Sequence, residues 1–159
     1  DGEFCFYDPG FRLQGEGYHY AIKHITGLDQ MEMLIKGSLT GSEGDFDLSK
    51  IDDVNCHGKY VSTLWFLLRK GTITKIEGLD EWKNDPHAYY NMQRLFVGDT
   101  VNEEWVGTEK QVMARLYIAC DTKEELSSTL KHYQEVVKAY DEYGNNMVLK
   151  GFDVDEALK

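Results

Sequence analysis

The feature that most constrains the fold of this chain is an apolar stripe in its last third. Five residues recur at steps of four, three, four and three, namely Leu126, Leu130, Tyr133, Val137 and Tyr140. This spacing places them on one face of an α-helix. Asp121 and Glu124 stand where a capping box would begin that helix, and Gly144 stands where it would end. The stripe is too short for a coiled coil, so we expect it to cover a β-sheet.

The segments that could supply this sheet are rich in β-branched and aromatic residues. They cover residues 60–68, 72–78, 91–97 and 112–120, with 146–150 as a last strand after the helix. Gly71 would turn the chain after the first segment. Ile73 and Ile76 are offset by three, so one of them must stand at a bulge or a strand end. Strands closed by one long helix predict an α+β domain.

The first third of the chain is predicted to contain two helices. Residues 18–25 form the first, and Asp29 is a good N-cap for the second. The second helix would carry four apolar residues on one face: Met31, Leu34, Ile35 and Leu39. Residues 40–58 are polar and contain several glycines and serines, which is typical of a linker.

The charge of the chain argues against several classes of function. Its 28 acidic and 17 basic residues give a formal charge of −11, which repels a phosphate backbone, so we expect no binding of nucleic acid. No apolar stretch approaches the roughly 20 residues that a bilayer requires, so we expect no membrane association. Cys5, Cys56 and Cys120 form no metal-binding pair, and their isolation favours reduced thiols in the cytoplasm.

One loop near the start of the sequence combines residues that could carry chemistry. It contains Asp8, Gly10, Arg12, Gly15 and Gly17. A carboxylate in such a loop can ligate Mg²⁺, and a guanidinium can bind phosphate oxygens through paired hydrogen bonds. Glycines let backbone amides approach an anionic substrate. Aspartate, proline and glycine also make ordinary turns, so these residue types fit a structural turn as well as a site.

Residues 4–15 resemble the final strand of ATP-grasp enzymes, in which Glu-x-Asn-x-Arg is followed by a glycine-rich turn. When this segment and the family pattern are aligned by their arginine, Asp8 stands at the family's metal-binding glutamate and Gly10 at its asparagine. Arg12 stands at the arginine that contacts phosphate or the acyl phosphate. The resemblance implies that Asp8 ligates Mg²⁺ and that Arg12 is catalytic. Gly10 in place of asparagine removes one metal ligand, which Gln14 or a water would have to replace.

The ATP-grasp resemblance extends beyond this strand. It implies that Gly10, Gln14 and Gly15 lie against bound ATP. Residues 71–78 resemble the segment Pro-Gly-x-Ile-x-x-Ile-x-Gly that opens the C-terminal domain of biotin-carboxylase-like members, and residues 98–101 resemble the Gly-Asp-x-Val that follows it.

These matches imply a division of the chain into three parts. Residues 1–41 would be the C-terminal end of an ATP-grasp catalytic domain, with its last strand and helices. Residues 42–58 would be a linker, and residues 59–159 a β-rich C-terminal α+β domain covered by one long helix.

By this resemblance, the chain is expected to be the C-terminal portion of an ATP-dependent ligase of the carbamoyl-phosphate-synthase-like type. The intact protein would join a small-molecule carboxylate to an amine or ammonia through an acyl phosphate, using ATP and Mg²⁺. The family's flap and phosphate-binding lysines would lie upstream of Asp1, so this portion alone is expected to be inactive and to bind neither cofactor. The alternative is a substrate-covering or oligomerisation module without chemistry. A strand at residues 3–7 would favour a homodimer through its open edge.

Overall fold

The computed structural model describes residues 15–42, 44–47, 49, 51, 53 and 55–159. The chain divides into two compact units, Asp1–Val54 and Asn55–Lys159, and the division falls inside the polar segment 42–58. The predicted strand at residues 3–7 lies outside the described residues. In the part of the chain that the structure describes, no helix is both long and apolar enough to cross a membrane.

The first unit contains the two predicted helices, α1 (Tyr18–Thr26) and α2 (Gln30–Thr40). Asp29 is confirmed as the N-cap of α2, because its side chain accepts hydrogen bonds from the backbone N–H groups of Met31 and Glu32. Gly27 ends α1 in the left-handed conformation and donates its N–H to the Lys23 carbonyl. The apolar face predicted for α2 is solvent-exposed, from 40% at Met31 to 80% at Leu39.

The second unit contains seven strands and two helices in its described residues. The strands are β1 (Tyr60–Leu67), β2 (Gly71–Thr72), β3 (Lys75–Glu77), β4 (Ala88–Gln93), β5 (Thr100–Val101), β6 (Val112–Cys120) and β7 (Lys138–Tyr140), and the helices are α3 (Lys123–Val136) and α4 (Val154–Ala157). Single turns of 3-10 helix occur at Cys56–Gly58, Glu103–Trp105 and Glu109–Gln111, and a longer one at Leu79–Asn84.

Strand β6 is the centre of the main sheet. The sheet has the order β1-β6-β4, and both neighbours run antiparallel to β6. All nine residues of β6 are buried, so both faces of the strand are covered. The second unit also contains two smaller antiparallel pairs, β2–β5 and β3–β7.

Helix α3 covers one face of the main sheet and contacts β1 and β6. Leu126, Leu130 and Tyr133 of the helix are at most 3% exposed and pack with Leu116 and Ile118 of β6. Burying a large apolar side chain in this way stabilises the fold by about 1.5–3 kcal/mol. The predicted stripe therefore covers a sheet, and the α+β class is confirmed.

The buried Tyr133 also makes a hydrogen bond through its hydroxyl group. Its hydroxyl donates to the Asp85 carboxylate at 2.9 Å, and the same carboxylate accepts the backbone N–H of His87 at 2.8 Å. Burial, reinforced by the bond to Asp85, raises the pKa of Tyr133, because the charged phenolate is disfavoured there. The bond ties α3 to the segment that leads into β4.

The predicted ends of the long helix were wrong. The capping box uses Thr122 and Glu125 instead of Asp121 and Glu124, because Thr122 is extended and its hydroxyl accepts the Glu125 N–H at 3.1 Å. The Asp121 side chain instead pairs with Lys59.

At its other end, the helix stops at Val136, so Val137 and Tyr140 of the predicted stripe fall beyond it. The chain becomes extended there and pairs with β3 as strand β7. Gly144 has a left-handed φ of 79°, but it lies in the turn after β7 and does not cap the helix.

The strand predictions succeeded in the main sheet and shifted elsewhere. Strand β6 was predicted with its observed bounds, whereas the segment 91–97 forms β4 at Ala88–Gln93. The segment 72–78 is two short strands, β2 and β3, that belong to different sheets. Ile73 lies between the two strands and is 1% exposed, whereas Ile76 belongs to β3. The two isoleucines therefore do not belong to one strand, and their offset of three residues needs no bulge. The predicted last strand contributes single bridges at Asn146 and Val148.

Gly78 offers a test of the contact between β3 and the end of α3. Its φ is 72°, and an added Cβ would lie 2.4 Å from the Val136 carbonyl oxygen. Gly144 has a similar φ of 79° but open space around it. We expect Gly144→Ala to lower the free energy of unfolding by about 1–2 kcal/mol through backbone strain alone. Gly78→Ala should cost about 1–3 kcal/mol more, because the backbone must also shift. Urea unfolding measures both, and equal losses would contradict the close contact.

The half-buried Tyr89 predicts a loss of stability at high pH. Burial raises the pKa of Tyr89 to about 12, above the value of about 10 for an unfolded chain. A raised pKa in the folded state gives stability that is complete below about pH 10 and is lost as the pH rises towards 12. In denaturant titrations, Tyr89→Phe should therefore flatten this decline. Tyr143→Phe, at a side chain that is 82% exposed, is the matched control and should leave the decline unchanged.

Candidate functional site

The loop predicted to carry chemistry lies mostly outside the described residues. Asp8, Gly10, Arg12 and Gln14 belong to residues 1–14, for which the structure gives no placement. Gly15 is described and occupies an exposed turn before α1, where an added Cβ would meet nothing within 4 Å. Of the two loop glycines that the structure describes, Gly17 is the one whose conformation favours glycine, since it is buried and has a φ of 78°.

The described residues contain no group of three or more histidine, cysteine, aspartate or glutamate side chains that could hold a metal ion. The roles of Asp8 as a magnesium ligand and of Arg12 as a catalytic residue remain predictions.

Of the two cysteines that the structure describes, Cys120 is not placed for nucleophilic catalysis. Cys120 ends strand β6 and is 1% exposed. Burial raises the pKa of its thiol, which keeps the sulfur protonated at neutral pH and unreactive. Cys56 is exposed and unpaired with another cysteine.

The most unusual polar residue of the second unit is Arg115, in the middle of β6. The residue is 2% exposed, although its neighbours in the strand are apolar. The register places Trp65 of β1 and Met92 of β4 on either side of it, in one row across the sheet. The guanidinium carbon lies 4.1 Å from the centre of the Trp65 ring, and one guanidinium nitrogen is 4.0 Å from the Met92 sulfur.

Sequence reasoning missed Arg115. The available signal was a single arginine inside an otherwise apolar strand, because arginine is seldom fully buried unless it is paired. The apolar pattern of residues 112–120 predicted the strand well and gave no reason to single out one member. The partners of Arg115 are set by the register, which the pattern alone does not determine.

The face of the sheet that carries Arg115 is distinct from the face that α3 covers. Side chains alternate between faces along a strand, and Ala114, Leu116 and Ile118 belong to the apolar cluster that includes α3. On the other face, Tyr117 is fully buried and its ring centre lies 5.6 Å from that of Tyr90. This face therefore carries aromatic rings next to a cation, and such contacts offset part of the cost of burying the guanidinium.

An open groove of about 360 Å³ runs beside strand β1. It lies between Thr63, Trp65 and Leu67 on one side and residues 149–152 on the other. Residues 147–149 pair with the end of β1, where the N–H of Leu149 donates to the Leu67 carbonyl at 2.8 Å. Among the described residues that line the groove, Lys150 is charged and most of the others are apolar.

Comparison with known proteins gives a fold but no family. No protein-family model and no curated protein matches the chain. Among solved structures, the chain is similar to the crystal structure of L-amino acid ligase from Bacillus licheniformis, with a TM-score of 0.62 and 17% identity. The match covers 84% of this chain and 33% of the ligase, so the chain spans about a third of the length of that protein. The likeness supports the ATP-grasp fold that the sequence resembles.

Proposed function

We propose that the chain is the C-terminal part of an ATP-dependent ligase that joins a carboxylate to an amine or to ammonia. The observation that carries this proposal is the likeness in fold to an L-amino acid ligase over 84% of the chain. The sequence resemblance to the end of ATP-grasp enzymes supports it independently, since it rests on motifs rather than on coordinates. The finer assignment, to the carbamoyl-phosphate-synthase-like type, rests on the sequence motifs alone.

The proposed reaction activates the carboxylate as an acyl phosphate, from which the amine displaces phosphate. Mg²⁺ would supply charge neutralisation at the phosphates of ATP. In this chain, Asp8 would ligate the metal and would not act as a base. Arg12 would hold the phosphate oxygens through charge-assisted hydrogen bonds, and Gly10, Gln14 and Gly15 would let the backbone approach them.

The partners follow from the same proposal. A small-molecule carboxylate and ATP would bind chiefly to the parts of the ligase that this chain does not span, because it matches only 33% of the L-amino acid ligase. We place the intact protein in the cytoplasm, where isolated cysteines such as Cys56 and Cys120 stay reduced. Neither nucleic acid nor a membrane is proposed as a partner.

A second candidate function is a non-catalytic module that covers the substrate or joins two protomers. It is favoured by the packing of residues 59–159, where Trp82 and Trp105 lie against the apolar core and act as anchors. In this reading the second unit positions the ligase without contributing to chemistry. A homodimer would be one form of such an assembly.

Asp8 is the first residue to test in the intact protein. Asp8→Ala should lower turnover by about a thousandfold or more, because the metal loses a charged ligand. Asp8→Glu should retain activity, since the ATP-grasp pattern has glutamate at this position. Circular dichroism would verify that both variants are folded. Turnover of the alanine variant at the wild-type rate would end the assignment of Asp8.

Binding of nucleotide separates the two candidate functions. We expect calorimetric titration of Mg·ATP into residues 1–159 to give no binding heat, because by the ATP-grasp resemblance the adenine contacts and most phosphate contacts would be made by parts of the ligase that this chain does not span. The intact protein should bind Mg·ATP. Failure of the intact protein to bind would favour the non-catalytic module, and binding by residues 1–159 alone would identify a complete nucleotide-binding domain.

A further inference from the structure

Among the described residues, the outer edge of strand β1 is paired only near the end of the strand. Strand β6 pairs with the inner edge, and on the outer edge the Leu67 carbonyl accepts the N–H of Leu149 at 2.8 Å. Backbone groups alternate between the two edges of a strand, so the N–H and C=O groups of Thr63 and Trp65 face the same outer side as those of Leu67. The groove is open space along this stretch, so these groups are placed to pair with a further extended segment.

The segment across the groove is held at both of its ends. It begins at Leu149, which is bonded to β1, and it ends at Asp153, which caps α4 by accepting the Glu156 N–H at 3.0 Å. Between these points Gly151 lies against α3, where an added Cβ would be 2.3 Å from Oε1 of Gln134. Two anchored segments therefore form the walls of the groove, and a partner would not have to order them on binding.

The walls of the groove combine apolar surface with a positive charge. Trp65 and Leu67 line one side, and Leu149 and Phe152 line the other. Leu149 is 36% exposed and Phe152 is 44% exposed, so both present apolar surface to water. Lys150 is also exposed, and it forms no ion pair with a described residue. In a chain with a formal charge of −11, such a cation beside apolar surface favours an apolar partner that carries a carboxylate.

From this geometry we propose that the groove binds an extended peptide segment of a partner protein, which adds a strand to β1 and places a carboxylate against Lys150. Such a segment uses the backbone edge, the apolar walls and the charge together. The groove follows β1 for four residue steps from Thr63 to Leu67, about 13 Å, which suits a segment of four or five residues. A small apolar carboxylate would leave the backbone groups of Thr63 and Trp65 unused. The site lies within the second unit and does not depend on the proposed ligase activity.

The test is a titration of the peptide acetyl-Val-Thr-Val-Thr-Val, with a free terminal carboxylate, into the isotope-labelled chain. Nuclear magnetic resonance would follow the backbone N–H signals of Thr63 and Trp65, which should shift on binding. The same peptide with a terminal amide should bind about fivefold more weakly, because it lacks the charge that meets an exposed lysine. In Lys150→Gln the two peptides should bind equally, because the cation that distinguishes them is gone.

Methylation of the peptide nitrogens tests the strand pairing separately from the charge. In an extended peptide, alternate amides face opposite edges. N-methyl groups on the edge that meets β1 should abolish binding, because each one removes a donor and adds bulk between the strands. N-methyl groups on the other edge should leave the affinity unchanged, because that edge faces water.

Lys83→Gln is the matched control for charge. The Lys83 side chain is 59% exposed and pairs with Asp80 at 2.8 Å, so its replacement changes the net charge equally without touching the groove. It should keep the fivefold preference for the carboxylate peptide. Unshifted signals of Thr63 and Trp65, or equal effects of methylation on the two edges, would overturn the proposed strand pairing. Equal binding of the two peptides to the wild type would overturn the role of Lys150. Binding of isovalerate as tight as that of the peptide would overturn the proposal in favour of a small-molecule site.

Discussion

The hydrogen bonds that β6 makes along both of its edges hold the rest of the second unit in place. Strands β1 and β4 pair with it over most of its length, and α3 begins three residues after its last one. The pairing of β1 with β6 contains one irregularity. Phe66 pairs with Ala114 and Leu67 pairs with Val112, so Met113 has no partner residue in β1. On the opposite edge, the Met113 carbonyl accepts the N–H groups of both Arg94 and Leu95, where the chain leaves β4.

The kinds of element could be predicted where one physical pattern dominates. Strand β6 is uniformly apolar, and α3 shows a clear helical stripe, so both were identified correctly. The errors lie where two patterns overlap. Tyr140 continues the helical spacing of α3, yet it lies in β7, because pairing with β3 satisfies the backbone better than another helical turn. Asp121 and Thr122 are both residue types that favour the N-cap position. The Asp121 side chain pairs with Lys59, and Thr122 is the residue that caps α3.

The candidate sites could be predicted only to the extent that their members are neighbours in sequence. Asp8 and Arg12 stand four positions apart, so a family pattern can recognise them together, although they lie outside the described residues. Arg115, Trp65 and Glu109 meet through strand register and a turn. No short motif contains them, because a shift of one residue in register would send Trp65 to the opposite face of the sheet.

Arg115 shows how a strand can bury a charge at the centre of a sheet. Removing a guanidinium from water is costly, and stacking on Trp65 offsets part of this cost. The carboxylate of Glu109 lies 3.8 Å from the guanidinium and adds a negative charge nearby, although its side chain is 62% exposed. Salt weakens this attraction little, since screening at physiological ionic strength acts beyond about 8 Å. The stacking of Arg115 on Trp65 exists because the register sets the two residues opposite each other, so the burial of this charge depends on the register of the whole sheet.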